Sequence, residues 1–265
     1  MSCALSIAFV ILAAAAQEQA PKKSVELVRT PERGLQPRAI VDASGTVHLV
    51  YFAGEPSAGE LRYVKSGDGC ESFSAPLRVN RGPASAMAVG NVRGAQIALG
   101  REGRLHVVWN GNGVDEQGSI DREGAPMLYT RIDDARKAFE PERDVIAKRH
   151  GLDGGGAVAA DGAGNVYVAW HAPGDEGEGE EGRQVWLAVS HDDGKTFREE
   201  TPASRPGSGV CPCCGIGAFA LDGGGLAILY RTAHDREHRD TELLLSTKLG
   251  GAFKSRTLDP WKVPT

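Results

Sequence analysis

Short runs of alternating apolar and polar residues recur along the chain, and glycine-rich turns separate one run from the next. The runs that return from these turns cover residues 47–51, 105–109, 166–170 and 226–230. Each of them closes on an aromatic residue, and these aromatics lie 58, 61 and 60 residues apart: Tyr51, Trp109, Trp170 and Tyr230. Alternation with period two is typical of β-strands with one buried face. The regular spacing therefore predicts a repeat protein made of four similar β-units.

Each unit has the sequence features of a four-stranded antiparallel meander. Asp- and Gly-rich turns join the first two strands of the units, at residues 42–45, 100–103, 161–164 and 222–225, because glycine adopts positive φ at little cost. A single sheet of this kind cannot bury both faces, so neighbouring sheets must stack on it. The pattern predicts an all-β fold in which the units are blades of a β-propeller, at about residues 38–80, 94–146, 155–202 and 215–261.

The third unit carries the most specific local motif, which reads S-x-D-x-G-x-T-F and places Ser190, Asp192, Gly194, Thr196 and Phe197 in one hairpin. In such a hairpin we expect the Asp side chain to accept hydrogen bonds from turn amides and the glycine to take positive φ. The aromatic residue is expected to pack beneath the sheet. The motif therefore reinforces the fold and is not a catalytic signature.

The other units contain altered copies of this hairpin. In the first unit, Cys70 stands where glycine is expected. The second unit keeps the terminal aromatic and a displaced Asp133 or Asp134, and the fourth keeps Ser, Gly and Phe at residues 246–253. Four copies in register favour a common architecture for all units.

On these motifs the chain resembles the sialidase-like BNR, or Asp-box, repeat proteins over about residues 38–261. The resemblance implies six blades around a central axis, with the Asp-boxes on the face opposite the active site. Four units are present, so we expect residues 38–265 to be an incomplete propeller and the chain to be a fragment. A closed four-bladed ring is the alternative. The run Cys-Pro-Cys-Cys at residues 211–214 also resembles a bacterial exported subgroup of this family.

The N-terminal residues bear on the compartment. Residues 5–16 are small and apolar, too few to span a bilayer as a helix, and end in three alanines. We interpret residues 1–16 as a signal peptide and residues 17–37 as a lead-in segment, so the mature protein is expected to be periplasmic or extracellular, without a membrane span. The net charge of −5 disfavours nucleic acid as a partner, and no cofactor is expected.

The end of the sheets opposite the Asp-boxes is the predicted location of a binding site. Its ligand-binding candidates are Arg38, Arg93, His150, Arg231, Asp235 and Arg239. The resemblance implies a clamp of three arginines for a substrate carboxylate, a role that Arg38, Arg93 and Arg231 have the right location to fill. However, residues 36–39 read Gln-Pro-Arg-Ala, which departs from the Arg-Ile-Pro signature of the family. No catalytic residue is assigned.

The clustered cysteines are expected to form disulfides, because export places them in an oxidising compartment. The disulfide candidates are Cys211, Cys213 and Cys214. The alternative is a Cys/His metal site that also uses His234 and His238, which have H-x3-H spacing.

These observations support three functional hypotheses. The first is an exported propeller that recognises a glycan or small acidic ligand in its axial funnel, and whether it also hydrolyses that ligand as an exo-sialidase-like glycoside hydrolase stays open. The second is a non-catalytic propeller that binds another protein. The third is a metal or redox protein built on the cysteine cluster.

Overall fold

The computed structural model describes residues 25–82, 85–113, 124–234 and 237–262, and the predicted signal peptide at residues 1–16 lies outside them. The described strands form four antiparallel sheets, each of four strands joined in chain order. This confirms the predicted all-β fold of four-stranded meanders. None of the described segments is a helix with the length and apolar character needed to cross a bilayer.

The strands of the four sheets have the following bounds. The first sheet contains β1 (Leu35–Val41), β2 (Val47–Glu55), β3 (Ala58–Ser66) and β4 (Leu77–Arg78). The second contains β5 (Gln96–Leu99), β6 (Leu105–Asn110), β7 (Met127–Arg131) and β8 (Arg143–Asp144). The third contains β9 (Ala157–Ala160), β10 (Val166–Pro173), β11 (Arg183–Ser190) and β12 (Thr201–Pro202). The fourth contains β13 (Gly217–Leu221), β14 (Gly225–Arg231), β15 (Thr241–Ser246) and β16 (Lys254–Asp259).

Successive sheets pack face to face through three apolar layers. The first layer joins sheets one and two around Trp109, the second joins sheets two and three around Trp170, and the third joins sheets three and four around Tyr230. The first strands of the sheets contact one another in chain order, β1 with β5, β5 with β9 and β9 with β13. All four aromatics that mark the repeat are buried. Trp109, Trp170 and Tyr230 lie in the layers between sheets, whereas Tyr51 packs with Leu49 and Val64 on the outer face of the first sheet.

The two outermost sheet faces differ in how they are covered. On the first sheet, Tyr51 is fully buried and its hydroxyl donates a 2.8 Å hydrogen bond to the carboxylate of Glu32 in the lead-in segment. On the fourth sheet, Phe219 is 69% exposed and Leu229 is 42% exposed. The fourth sheet thus leaves two large apolar side chains exposed on this face, within the part of the chain that the structure describes.

The Asp-box hairpin of the third sheet is closed by side-chain hydrogen bonds. The backbone amide of Thr196 donates to Asp192 Oδ1 at 2.9 Å, and the Thr196 hydroxyl donates to Oδ2 at 2.6 Å. The amide of Gly194, whose φ is +78°, donates to Ser190 Oγ at 2.9 Å. The ring of Phe197 packs edge-on against Tyr129 of the second sheet. The hairpin therefore also ties the third sheet to the second.

The altered copies keep parts of this geometry. Cys70 has a φ of 74°, the conformation of the glycine that it replaces, and its amide donates to Ser66 Oγ at 2.9 Å. In the second sheet, Asp133 Oδ1 accepts from the amide of Lys137 at 2.9 Å, whereas Asp134 forms an ion pair with Arg104. Asp133 is therefore the residue that corresponds to the Asp of the motif.

A buried ionic cluster lies beside the third Asp-box. The Asp193 side chain is 2% exposed, and its Oδ2 atom lies 2.6 Å from Nε of Arg104 and 3.5 Å from Nη1 of Arg131. Arg131 also donates to the backbone carbonyl of Asp193 at 2.8 Å and pairs with Glu140. Arg104 immediately precedes β6 and Arg131 ends β7, so this cluster is a second link between sheets two and three.

Candidate functional site

A cleft of about 840 Å³ opens at the end of the sheets opposite the Asp-box hairpins. Asn110 ends β6, Pro173 ends β10 and Arg183 begins β11, so the ends of strands in two sheets form part of its wall. The connections between sheets supply the remainder. Its lining includes Met87, Val89, Arg93, Arg149, His150 and Asp153.

Two arginines of the cleft are held by exposed carboxylates. Nη2 of Arg93 lies 2.9 Å from Oδ1 of Asp153, and Nη2 of Arg149 lies 2.7 Å from Oδ1 of Asp175. The arginine side chains are 26% and 30% exposed, whereas the carboxylates are 56% and 75% exposed. Arg149 also stacks over the ring of Trp186, with its guanidinium carbon 4.3 Å from the ring centroid. The arginines are thus positioned at the cleft while their acidic partners face solvent.

Arg183 lines the cleft and forms a hydrogen bond with a buried histidine, His171. Its Nε donates to Nδ1 of His171 at 2.9 Å, and its Nη2 donates to the backbone carbonyls of Gly151 and His171. Burial, followed by the charge of Arg183, lowers the pKa of His171 to about 3. His171 is therefore neutral near pH 7 and accepts the hydrogen bond from Arg183.

The neutral state of His171 predicts a pH dependence of stability. Because the folded pKa of about 3 lies below the ordinary value of 6.5, the unfolded chain binds this proton first and stability falls as the pH drops from 6.5 toward 3. A His171→Gln variant should show a shallower slope of unfolding free energy against pH, by up to about 1.4 kcal/mol per pH unit. Urea unfolding at pH 7, 6, 5 and 4 measures this slope.

The matched control for this experiment is His191→Gln. His191 is exposed on the Asp-box hairpin, so its substitution should leave the slope unchanged. Equal slopes for the wild type and His171→Gln would contradict the prediction. His106, whose pKa is lowered to about 3 chiefly by burial, contributes a slope of the same sign in every variant.

The structure divides the ligand-binding candidates into three groups. Arg93 and His150 line the cleft. Arg38 is exposed and lies outside the described lining, as do Arg231 and Arg239, which contact each other through hydrogen bonds from Arg231 to the Arg239 carbonyl. Asp235 lies outside the described residues. The proposed clamp of Arg38, Arg93 and Arg231 is therefore not assembled in the cleft.

Sequence reasoning did not single out Lys148, Arg149 or Arg183, all of which line the cleft. The run Lys-Arg-His at residues 148–150 is the signal that could have found two of them, because it places three basic residues immediately before a turn at the binding end. For Arg183 no local signal exists, since its partner His171 is brought to it by the pairing of β10 with β11.

The cysteine cluster lies at the same end of the sheets, immediately before β13. The amide of Cys211 donates to the carbonyl of Arg231 at 2.9 Å, which fixes the cluster against the end of β14. The three sulfur atoms lie within 4.8 Å of one another, and no disulfide joins them in this structure. Burial raises the pKa of Cys211 and of Cys214, and the contact with Cys211 raises the pKa of Cys213. His234 and His238 are not part of this described group.

Neither a protein-family model nor a curated protein matches the chain. Solved structures do match it. A protein of unknown function from Dyadobacter fermentans is 15% identical, with a TM-score of 0.56 over 84% of this chain and 68% of that protein. An alpha-L-arabinanase from Penicillium chrysogenum, complexed with arabinobiose, is 13% identical, with a TM-score of 0.55 over 87% of this chain and 68% of the enzyme.

A Hadza microbial sialidase is also similar, at 19% identity and a TM-score of 0.48, over 78% of this chain and 46% of the sialidase. The chain thus spans about two thirds of the first two structures and less than half of the third. At these identities the likeness concerns the fold. The chain has an all-β, propeller-like fold of the kind found in glycoside hydrolases.

Proposed function

We propose that the cleft binds a small acidic ligand, and that this ligand is a carbohydrate with a carboxylate group. The observation that carries the proposal is the charge of the lining, where Arg93, Lys148, Arg149 and Arg183 face one acidic residue, Asp153. This excess of basic residues contrasts with the net charge of −5 of the whole chain. Guanidinium groups suit carboxylates because they present paired donors.

The ion pairs of the cleft can be exchanged for a ligand at low cost. Surface pairs such as Arg93 with Asp153 and Arg149 with Asp175 contribute about 0–1 kcal/mol, because water screens them. A ligand carboxylate inside the cleft is more shielded from water than these exposed side chains. The arginines are therefore already oriented, and a bound carboxylate can replace their present partners.

The apolar part of the lining suits the apolar faces of a sugar ring. It includes Met87, Val89, Leu152 and Pro173. The volume of about 840 Å³ falls in the range of small-molecule sites, and a mixed lining with a few polar groups is typical of them. These features favour an oligosaccharide of a few residues over a macromolecule.

For hydrolysis, a retaining or inverting glycosidase needs two carboxyl groups, and the sialidase variant needs a tyrosine nucleophile. Among the described lining residues Asp153 is the one acid, and no tyrosine is present. The proposal for this site is therefore recognition of the ligand. Export of the protein, as predicted from residues 1–16, is consistent with a glycan outside the cytoplasm.

Isothermal titration of the purified chain with 3′-sialyllactose tests the proposal, with lactose as the neutral comparison. We expect 3′-sialyllactose to bind and lactose not to bind, because the carboxylate supplies the contact with the arginines. The substitution Arg93→Gln should weaken binding about tenfold or more, which corresponds to the loss of one charge-assisted hydrogen bond. Added salt should weaken binding to the wild type.

The control variant is Arg38→Gln, which removes an exposed arginine outside the described lining of the cleft. Its affinity should equal that of the wild type. Equal binding of lactose and 3′-sialyllactose, or an unchanged affinity in Arg93→Gln, would contradict the proposed role of the cleft.

A further inference from the structure

Three thiol groups converge in a single turn of the chain at residues 211–214. Cys211 is 2% exposed, Cys214 is partly buried and Cys213 is exposed. All three sulfur atoms lie within 4.8 Å of one another, and Sγ of Cys211 lies 3.1 Å from Sγ of Cys213. Three thiols in such a small volume form a compact set of soft ligands.

Backbone hydrogen bonds hold this set in place. The amide of Cys214 donates to the carbonyl of Cys211 at 3.3 Å, which closes the turn, and the amide of Cys211 donates to the carbonyl of Arg231 at 2.9 Å. Pro212 between the first two cysteines fixes φ at that position. The turn is therefore ordered by contacts with β14, and its three sulfur atoms are already directed to one side.

The number of thiols suits a shared metal ion better than a disulfide. Thiolates that share one ion at about 2.3 Å are separated by about 3.8–4.0 Å, and all three sulfur atoms of the cluster lie within 4.8 Å of one another. A disulfide would also leave one of the three thiols unpaired, whereas one ion uses all of them.

We propose that Cys211, Cys213 and Cys214 bind one copper(I) ion as a three-coordinate thiolate site. Thiolates are soft ligands that favour copper(I), whereas a structural zinc ion is almost always held by four protein ligands. The described group contains three ligands and neither His234 nor His238. Binding displaces one proton from each thiol, so three protons are released for each ion bound.

The centre would lie directly beside the ligand cleft. A Cβ atom added to Gly154 would come within 2.3 Å of the carbonyl oxygen of Pro212, so the cysteine turn packs against the residue that follows Asp153 of the cleft.

The test uses the full chain, purified under reducing and anaerobic conditions and titrated with copper(I) supplied as its bicinchoninate complex. We expect one copper(I) ion per chain and protection of three thiols from alkylation, while Cys70 stays reactive. Cys213→Ser should weaken copper binding by at least about 100-fold. Even the loss of a residue that only hydrogen-bonds a metal ligand lowers metal affinity by about 10–100-fold. Cys213 is exposed, so this variant should keep the fold, which circular dichroism checks.

The matched control is Cys70→Ser, which removes a thiol in the Asp-box of the first sheet and should leave copper binding unchanged. Three results would overturn the proposal. They are a disulfide among residues 211–214 that persists when copper(I) is supplied, one-to-one zinc binding that copper(I) does not displace, and unchanged copper affinity in Cys213→Ser.

Discussion

The substitution Asp193→Asn is expected to lower the free energy of unfolding by about 3–5 kcal/mol, because it removes one partner of a buried ionic cluster. Of its carboxylate partners, Arg104 would keep the exposed Asp134, and Arg131 would keep Glu140. Asparagine has nearly the size of aspartate and tolerates the φ of 63° at this position, so the variant removes the charge with little backbone strain. Urea unfolding at neutral pH, followed by tryptophan fluorescence, measures the loss.

Asp134→Asn provides the matched control, since Asp134 binds the same Arg104 at 2.6 Å but is 87% exposed. Its loss should be at most about 1 kcal/mol, as for other exposed ion pairs. Similar losses for the two variants would show that burial of Asp193 does not set the strength of the cluster.

The substitution Gly155→Ala is expected to cost about 3 kcal/mol, because the added methyl group collides with backbone. Its Cβ atom would lie 1.7 Å from the carbonyl oxygen of Val92. No side-chain rotation relieves this contact, so the connection that carries Arg93 must move. The variant should therefore lower both the Tm and the affinity for 3′-sialyllactose, measured by thermal unfolding and calorimetric titration.

Gly215→Ala is the control for this prediction, because Gly215 lies near the side chain of the same Val92 and not near its backbone. An added Cβ would lie 3.9 Å from Cγ1 of Val92, an ordinary contact distance. We expect its stability to change by no more than about 0.5 kcal/mol. A stable Gly155→Ala variant with unchanged ligand affinity would contradict the close packing of these connections.

The sheets could be predicted from sequence because their signals are local. Alternation places Val50 and Phe52 in the core between sheets, and the turn after β1 is stabilised by Asp42, which accepts from the amides of Ser44 and Thr46. The start of β1 was harder to predict from the sequence. The strand begins at Leu35, before the predicted residue 38, with an irregularity at Gln36. The side chain of Gln36 donates to the carbonyls of Ala88 and Gly90, which lie in the connection between the first and second sheets.

The site was predicted less completely, since its geometry depends on pairings between distant segments. Sequence placed Arg93 and His150 at the binding end, and both line the cleft. The sequence did not indicate that Arg231 would lie outside the described lining of the cleft. In the structure its side chain packs on Trp261 and donates to the Arg239 carbonyl. The burial of Asp193 was also not apparent, because it follows the motif residue Asp192 and looks like another turn carboxylate.

The exposed fourth sheet has a consequence for local unfolding. β16 is exposed along its whole length and pairs with β15 alone, whereas β10 is buried at every residue except Pro173 and lies between two apolar layers. Local opening requires the least free energy where few buried contacts are lost. Amide hydrogens of β16 should therefore exchange with solvent before those of β10. Partial opening of the chain would begin at the C-terminal sheet, and it would release the buried Cys211 before it disturbs the arginines around the cleft.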